Sequence, residues 1–268
     1  MALPPPSESS TAVVTGASSG IGTEIARELA KRGLNLTLVA RREDRLRELA
    51  ERLGREHGVR AETVAADIAG DEGRESLFKE LESNGRDVEV LVNNAGFGSA
   101  GRFQALEGDK ETLMVRTNCE AVVALCARFV PPMVDRGRGA ILNLGSIAAY
   151  QPLPFQATYS ATKAFVLTFT EALSADLHGT GVTATALCPG PVPTEFEENA
   201  GIDSGWEGIP DFVLTTPEQN AAAGVSAMEK GRRVVVPGPL NAASAAAGHY
   251  TPRSVVLGLV RRFYPVGR

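Results

Sequence analysis

Short runs of β-branched and other apolar residues alternate along the chain with longer stretches of helical periodicity. The runs that predict strands lie at 11–15, 34–40, 61–66, 88–93, 139–145, 181–188 and 232–237. The helical patterns lie between them, at about 20–32, 43–57, 71–84, 110–135, 157–178 and 217–230. Several runs are apolar at consecutive positions, as in strands that are covered on both faces. The alternation therefore predicts an α/β fold with a doubly wound, seven-stranded parallel sheet flanked by helices.

The 268 residues fit one domain of this kind, because neither an internal repeat nor a linker divides the chain. We predict a flexible tail at 1–9, the folded domain at 10–240 and an extension at 241–268. Within the domain, 189–216 is rich in proline and glycine and has no clear period, which is typical of a functional loop. In the extension, apolar residues spaced three and four apart predict a short helix within 251–268.

Charge, cysteine and histidine patterns argue against several functions. The net charge of −5 gives no reason to expect a nucleic-acid partner. Three cysteines without a CxxC pair favour a reducing compartment, and three scattered histidines without HExxH give no reason to expect a metal. The first ten residues do not resemble a signal peptide, and no apolar run is long enough to span a bilayer. We therefore expect a cytoplasmic protein without a membrane span.

The first predicted strand leads into a glycine-rich turn, TGASSGIG, and then into an amphipathic helix. Gly16, Gly20 and Gly22 permit a tight turn, close approach of the backbone to a phosphate, and close packing of helix on strand. The start of the helix favours an anion, and Ser18 and Ser19 add hydroxyl donors. The spacing is GxxxGxG without a following GK[ST], so it is not a P-loop. The alternative is a plain glycine turn without a ligand. The position of the motif on the first βα unit favours a ligand site.

Several motifs occur in the order known from one protein family. They are TGASSGIG at 15–22, NNAG at 93–96, Asn118, Ser146, Tyr159 with Lys163, and PG at 189–190 followed by Thr194. Over about 11–240 the chain resembles the classical short-chain dehydrogenase/reductase (SDR) family, which implies a Rossmann-fold oxidoreductase. The catalytic residues that the resemblance implies are Asn118, Ser146, Tyr159 and Lys163. The cofactor-binding residues that it implies are Gly16, Ser18, Ser19, Gly20, Ile21, Gly22, Asp67, Ile68, Asn94, Ala95, Gly96, Tyr159, Lys163, Pro189, Gly190, Val192 and Thr194.

Tyr159 and Lys163 stand four residues apart in the predicted helix 157–178, so their side chains share one face. A free phenol has a pKa near ~10, which is too high for efficient proton transfer at neutral pH. A neighbouring ammonium stabilises the phenolate and lowers that pKa. Tyr159 is therefore predicted to act as a general acid in reduction and a general base in oxidation. By resemblance, Lys163 also binds the nicotinamide ribose.

Ser146 and Asn118 complete the predicted site. Ser146 follows the strand at 139–145 and can hydrogen-bond a substrate carbonyl oxygen, where negative charge develops as hydride arrives. Its context, NLGSIAA, lacks the glycines of a serine-hydrolase elbow. By resemblance, Asn118 positions a water that links Lys163 to solvent. Taken singly, each of these four residues is better explained by a structural role, such as a helix cap, the edge of the core or a solvent-exposed face. The occurrence of all four together favours an enzyme.

The second predicted strand ends in LVARRED, a position that distinguishes the two nicotinamide dinucleotides. NAD-binding domains carry an acidic residue near here for the ribose 2′-hydroxyl, whereas NADP-binding domains use arginine for the 2′-phosphate. Arg41 and Arg42 therefore predict NADP(H), with NAD(H) as the alternative and Arg41 as the stronger candidate. The competing interpretation is that both arginines pair with acidic residues at the start of the next helix, Glu43, Asp44 and Glu48.

The loop 189–216 and the segment FGSAGRF at 97–103 predict an apolar pocket for a small-molecule substrate. The apolar residues of the loop are Val192, Phe196, Trp206, Ile209 and Phe212. We expect a hydrophobic ketone or aldehyde, or the matching secondary alcohol. The alternative is that these side chains only pack the loop against the rest of the protein and do not contact a substrate.

Other functions compatible with the fold are a 3-oxoacyl-thioester reductase and a sugar or steroid dehydrogenase. A regulator that senses the dinucleotide without chemistry is a different class, and the intact Ser146, Tyr159 and Lys163 argue against it. By resemblance, the long helices at 110–135 and 157–178 are expected to form a homodimer or homotetramer.

Overall fold

The structure of the protein is a computed structural model, and it describes residues 3–200 and 213–263. The strands are β1 Ser10–Thr15, β2 Leu36–Ala40, β3 Ala61–Ala65, β4 Asp87–Asn93, β5 Gly139–Leu144, β6 Val182–Leu187 and β7 Val234–Val235. The helices are α1 Gly20–Ala30, α2 Glu43–His57, α3 Asp71–Ser83, α4 Gly108–Val115, α5 Ala121–Asp135, α6 Ala157–Asp176, α7 Glu195–Ala200, α8 Pro217–Glu229, α9 Pro239–Tyr250 and α10 Arg253–Phe263. Shorter turns are the 3₁₀ segments Phe103–Ala105 and Ile147–Tyr150 and the π-helical turn Arg116–Glu120.

The strands form one parallel sheet in the order β3-β2-β1-β4-β5-β6-β7. The predicted seven-stranded, doubly wound sheet is therefore confirmed. The strand order reverses between β1 and β4. In sheets of this kind, ligands bind outside the carboxyl ends of the strands at such a switch point.

Helices cover both faces of the sheet and bury alternate residues of each central strand. In β1, Ala12 and Val14 face a core cluster shared with α1, α2 and α8. Val13 faces a second cluster, shared with α3, α5 and α6. Ile25 in the first cluster and Leu125 in the second are fully buried. Burial on both faces explains why these strands read as continuous apolar runs in the sequence.

The helix predicted at 110–135 is present, but a π-helical turn interrupts it, so that the segment is divided into α4, the π turn and α5. Asn118 lies in the π turn and points inward, where its amide bonds the backbone of Phe97. A π turn inserts one extra residue into a helix and is frequent at functional sites. Hydrophobic periodicity does not reveal such an insertion, since the chain is helical on both sides of it.

Two helices, α7 and α9, have no counterpart among the predicted elements. Thr194 caps α7, since its Oγ1 accepts a hydrogen bond from the N–H of Phe196 at 3.2 Å. An alanine-rich stretch with Pro239 in its first turn forms α9, so intrinsic propensity rather than amphipathic spacing indicates this helix. The helix predicted within 251–268 is present as α10. The last strand spans two residues instead of the predicted 232–237.

Residues 3–9, part of the predicted tail, lie against the domain. Leu3 packs on the first core cluster, and Pro4 is buried. The carbonyl oxygen of Ser7 accepts hydrogen bonds from Ser10 Oγ at 3.1 Å and Asn35 Nδ2 at 3.0 Å. This segment therefore covers one end of the first core cluster.

A buried polar ladder ties α6 to the sheet. Asn93 Nδ2 donates to Asn143 Oδ1 at 2.8 Å, and Asn143 Nδ2 donates to Thr170 Oγ1 at 2.9 Å. Asn143 and Thr170 are both 0% exposed, so a lost partner would leave a buried donor without an acceptor. The ladder therefore fixes the rotation of α6, which carries Tyr159 and Lys163.

We expect Thr170→Val to lower the free energy of unfolding by about 1–3 kcal/mol, because this isosteric change removes the acceptor of a buried amide. Thr168→Val, on the exposed side of the same helix, is the matched control and should change it by less than about 0.5 kcal/mol. Urea unfolding with an unchanged m value measures both effects. Equal losses in the two variants would contradict the role of the ladder.

Candidate active site

A cleft of about 900 Å³ opens at the carboxyl ends of the strands, at the switch point between β1 and β4. The predicted cofactor and catalytic residues line this cleft, apart from Gly22 and Asn118. These two lie behind its wall, where Gly22 approaches the backbone of Gly16 and Asn118 bonds the backbone of Phe97. Residues from distant parts of the sequence thus meet in one place.

The glycine-rich turn between β1 and α1 takes the conformation that its glycines allow. Gly16 and Gly20 have φ angles of 66° and 58°, in the left-handed region that other residues rarely adopt. A Cβ at Gly22 would lie 2.3 Å from the carbonyl oxygen of Gly16, so only glycine lets α1 pack this closely. The side chain of Ser19, the N-cap residue, makes no capping bond. The first N–H groups of α1 are therefore available to an anion.

Asn94 connects this turn to the end of β4. Its Nδ2 donates to the carbonyl oxygens of Thr15 at 2.9 Å and Gly16 at 3.1 Å. Its backbone N–H donates to Thr15 Oγ1 at 3.0 Å. The side chain that the sequence assigns to the cofactor thus also holds the turn against the neighbouring strand.

Lys163 lies on the floor of the cleft and is 6% exposed. Its Nζ donates to the carbonyl oxygen of Leu144 at 2.7 Å, its one hydrogen bond within the described residues. Burial away from water lowers the pKa of this ammonium to about 8. An ammonium has three donors, so the others can serve a bound ligand.

Tyr159 and Lys163 lie together on α6, as their spacing predicts, with Lys163 Nζ 5.8 Å from the centroid of the phenol ring. Phe196 of α7 covers Tyr159, with the ring centroids 5.5 Å apart. A Cβ at Gly98 would lie 2.9 Å from Phe196 Cζ and 3.4 Å from Tyr159 Cδ2. The phenol is therefore enclosed between an aromatic ring, a bare backbone and a buried cation.

Asn118 in the π turn is 2% exposed and lies close to Lys163. Its Nδ2 donates to the Phe97 carbonyl at 3.0 Å and to Thr162 Oγ1 at 3.1 Å, and its Oδ1 accepts from the Phe97 N–H at 3.2 Å. A Cβ at Gly96 would lie 2.8 Å from Asn118 Oδ1 and 3.8 Å from Lys163 Nζ. The amide and the ammonium therefore converge over one glycine.

Ser146 follows β5 directly and caps the 3₁₀ turn Ile147–Tyr150. Its Oγ accepts a hydrogen bond from the N–H of Ala148 at 3.1 Å. The hydroxyl proton has no acceptor among the described residues. Ser146 is thus both a cap and a hydroxyl that can donate into the cleft.

Arg41 and Arg42 line the far end of the cleft, beside the glycine turn. Arg42 donates from Nε and Nη2 to Ser18 Oγ at 3.2 and 3.1 Å, and its Nη1 lies 2.8 Å from Glu195 Oε2. Arg41 is exposed and makes no hydrogen bond within the described residues. Neither arginine pairs with the acidic residues at the start of α2, so the competing interpretation does not describe this structure.

Two side chains at the site were missed in the sequence, Glu195 and Asn241. Glu195 begins α7, a helix whose threonine cap is the signal that could have indicated it. Asn241 of α9 is 2% exposed and donates to the carbonyl oxygens of Val213 at 3.1 Å and Pro237 at 3.2 Å. A Cβ at Gly190 would lie 2.4 Å from the Asn241 amide atoms, so α9 supports the PG turn from behind.

Part of the predicted apolar pocket is in the cleft, and part lies outside the described residues. Val192 and Phe196 line the cleft, together with Phe97 and other apolar residues from α4 and the turn after β5, Leu113, Ile147 and Leu153. The positions outside the described residues are Trp206, Ile209 and Phe212.

Within residues 3–200 and 213–263, no three histidine, cysteine or acidic side chains are grouped to hold a metal ion. No helix in this part of the chain has the length and apolarity to cross a membrane. The cysteines are free and buried, and burial raises the pKa of Cys119 to about 11 and those of Cys126 and Cys188 to about 12. They therefore stay protonated thiols at neutral pH, without the reactivity of a thiolate.

Comparison with known proteins shows which family the chain resembles. Residues 10–204 match the family described as short chain dehydrogenase. Sulfoacetaldehyde reductase 2 from Chromohalobacter salexigens is 41% identical over 186 residues, which are 69% of this chain and 73% of that protein.

Two solved structures resemble the fold over almost its whole length. A short-chain dehydrogenase from Sphingobium yanoikuyae in complex with NADPH has a TM-score of 0.80 at 31% identity, covering 96% of this chain and 98% of its own. A bulky-bulky ketone specific alcohol dehydrogenase from Comamonas testosteroni has a TM-score of 0.74 at 28% identity, covering 94% and 92%. Since the family match covers well over half of the sequence, from β1 beyond α6, the chain belongs to the short chain dehydrogenase family of oxidoreductases.

Proposed function

We propose that the protein is an NADP(H)-dependent oxidoreductase that transfers a hydride between the nicotinamide and a carbonyl/secondary alcohol pair. Tyr159 is its general acid/base. The observation that carries this proposal is the buried ammonium of Lys163, 5.8 Å from the Tyr159 ring centroid, in the same cleft as an uncapped helix N-terminus. A proton donor and an anion cradle in one cleft suit a reaction between a dinucleotide and a carbonyl.

The residues of the cleft fit a nicotinamide dinucleotide. The first N–H groups of α1, with Ser18 and Ser19, would hold the pyrophosphate. Spare donors of Lys163 would hold the nicotinamide ribose, and Asp67 and Ile68 would frame the adenine. The residues that would line the nicotinamide are Pro189, Gly190, Val192 and Thr194. When bound, the cofactor supplies or accepts the hydride.

In the reduction direction, Tyr159 donates its phenolic proton to the substrate oxygen as negative charge develops there. The Ser146 hydroxyl donates a hydrogen bond to the same oxygen and holds it beside the phenol. Lys163 stabilises the phenolate that remains, because its positive charge acts over a short distance in a site largely shielded from water. In the oxidation direction the phenolate accepts the proton instead.

The proton that Tyr159 loses has to be replaced from solvent. Asn118 supports a relay for this step, since its amide and Lys163 Nζ converge over Gly96. Asn118 is itself fixed by bonds to Phe97 and Thr162. We propose that it orients a water beside the ammonium, through which protons reach Lys163 and then Tyr159.

The choice of NADP(H) over NAD(H) rests on the two arginines. Arg41 makes no hydrogen bond within the described residues, and Arg42 lies beside it against Ser18. A guanidinium binds phosphate with paired hydrogen bonds, a geometry that suits a ribose 2′-phosphate. NAD(H) remains the alternative cofactor.

The substrate that best fits the reaction end of the cleft is a hydrophobic ketone or aldehyde. Phe97, Leu113, Ile147, Leu153 and Phe196 line it. The likeness to a bulky-bulky ketone specific alcohol dehydrogenase supports the same class. A 3-oxoacyl thioester, a sugar or a steroid would be handled by the same chemistry.

A small anionic aldehyde is a second candidate substrate. Lys110 of α4 brings a positive charge to the lining of the cleft. The likeness to sulfoacetaldehyde reductase 2 favours this substrate class. Steady-state rates on a panel from aryl and long-chain ketones to short anionic aldehydes separate the two candidates.

We also propose that the protein is a homodimer or homotetramer, assembled through α4, α5 and α6. The outer faces of these helices expose Val115 at 45%, Val123 at 38% and Phe165 at 41%. Phe165 stacks on Phe169 with centroids 5.9 Å apart, which makes a flat apolar surface. Such an exposed apolar face is typical of a subunit contact.

For the cofactor, we expect Arg41→Ala with Arg42→Ala to weaken NADPH binding by about tenfold to a hundredfold, because two charge-assisted phosphate contacts are lost. NADH binding should change by less than about threefold, since NADH lacks the 2′-phosphate. Fluorescence titration measures both dissociation constants. Arg47→Ala, an exposed arginine on α2, is the control. Equal losses for the two cofactors would refute the NADP(H) assignment.

For catalysis, we expect Tyr159→Phe to lower kcat by roughly 10²- to 10⁴-fold while NADPH still binds, because only the proton donor is removed. The exposed Tyr250→Phe is the matched control and should keep full activity. The measurement is the rate of NADPH oxidation with the best ketone or aldehyde of the panel. A Tyr159→Phe protein that retained full turnover would exclude the acid/base role.

For the buried ammonium, we expect Lys163→Met to be inactive but more stable than the wild type at pH 7. Because the pKa of Lys163 falls from 10.5 unfolded to about 8 folded, its charge costs roughly 3 kcal/mol of stability below pH 8. This cost disappears as pH rises from about 8 towards 10.5, so the advantage of the variant should shrink over that window. Urea unfolding at several pH values measures it.

The exposed Lys79→Met on α3 serves as the control for this pH dependence and should show no such advantage. An advantage of Lys163→Met that did not change with pH would mean that packing, and not the buried charge, explains it.

A further inference from the structure

Glu195 lies at the end of the cleft where the 2′-phosphate of NADP(H) is proposed to bind. Its Oε2 is 2.8 Å from Arg42 Nη1 and its Oε1 is 2.6 Å from Arg45 Nη1. Glu195 lines the same cleft as Arg41 and Arg42. The hydrogen bond from Arg45, and then the one from Arg42, lower the pKa of this carboxyl below its ordinary value. Glu195 is therefore an anion at neutral pH.

Glu195 and Ser18 together occupy donors of Arg42 that a phosphate would use. Arg42 spends its Nε and Nη2 on Ser18 Oγ and its Nη1 on Glu195. A second anion that came to the same guanidinium would be repelled by the carboxylate, because like charges at such distances interact unfavourably. A 2′-phosphate and Glu195 therefore compete for one cation.

We infer that Glu195 determines cofactor specificity, as an internal competitor for Arg42 that the 2′-phosphate of NADP(H) must displace. This inference rests on the proposed NADP(H) function. NAD(H) has a hydroxyl at that position and leaves the ion pair in place. Glu195 therefore weakens NADP(H) binding without changing NAD(H) binding. It reduces the preference for NADP(H) over NAD(H) that Arg41 and Arg42 create.

The competition is of moderate strength. The side chains of Arg42 and Glu195 are 40% and 39% exposed, so water screens the pair. Exposed ion pairs of this kind each change an equilibrium by about 1.4- to fivefold. With Arg45 holding the other oxygen, removal of the Glu195 charge should have an effect of about two- to tenfold on NADP(H) affinity.

The test is Glu195→Gln, which removes the charge and keeps the shape. Fluorescence titration at low ionic strength should give an NADPH dissociation constant about two- to tenfold lower than that of the wild type. The NADH constant should stay within about twofold. Glu43→Gln is the matched control, because it makes the same change in net charge next to Arg42 but removes a carboxylate that pairs with Arg47. It should leave both constants unchanged.

Adenosine 2′,5′-bisphosphate and adenosine 5′-monophosphate, as competitors of NADPH, isolate the ribose end of the site. Glu195→Gln should bind the bisphosphate more tightly and the monophosphate equally well. Unchanged or weaker binding of NADPH and bisphosphate in Glu195→Gln would overturn the inference. So would a gain of the same size in Glu43→Gln.

The failure of the proposed function has a different signature. In that case the wild type would show no preference for NADPH over NADH, and the Arg41→Ala/Arg42→Ala protein would lose both cofactors equally. If the wild type prefers NADPH and Glu195→Gln does not increase that preference, only the competition between Glu195 and the 2′-phosphate for Arg42 is refuted.

Discussion

The burial of one ammonium group is the constraint around which the cleft is arranged. Lys163 is removed from water, with the Leu144 carbonyl as its one acceptor among the described residues, and this desolvation lowers its pKa. The charge is tolerated because Leu144 ends a strand and offers an oxygen to it. Gly96 has no side chain, which leaves room between the ammonium and the amide of Asn118. A Cβ at position 96 would lie 2.8 Å from Asn118 Oδ1, so a larger residue there would displace this amide.

The sheet explains why this arrangement is rigid. β5 supplies the Leu144 carbonyl, and Ser146 follows two residues later, so one strand end positions both the partner of the cation and the proposed carbonyl ligand. The same strand carries Asn143, whose amide reaches Thr170 and sets the rotation of α6. Polar contacts as well as apolar ones therefore fix α6, which carries Tyr159 and Lys163, against β5.

Much of this could be predicted from the sequence, because it depends on local rules. Continuous apolar runs indicate buried parallel strands, glycines indicate a positive φ, and the spacing of Tyr159 and Lys163 indicates one helical face. The contacts that were missed depend on tertiary structure. The π turn at Asn118 leaves no mark in periodicity, α9 is indicated only by alanine content, and Asn241 meets Gly190 across many residues of chain. The competing interpretation placed carboxylate partners of Arg42 on α2, whereas its carboxylate partner Glu195 belongs to α7.

Glu195 and Phe196 are adjacent in α7 but serve opposite ends of the cleft. Glu195 contacts Arg42, at the end of the cleft proposed for the 2′-phosphate, and Phe196 covers the phenol of Tyr159, the proposed proton donor. A redesign that exchanged only the residues after β2 to obtain a different coenzyme would leave Glu195 in place. It would also remove the arginines that hold the start of α7, Arg42 and Arg45. The proposed coenzyme choice and the cover over Tyr159 thus depend on the same turn of helix, and any effort to separate them has to rebuild that turn.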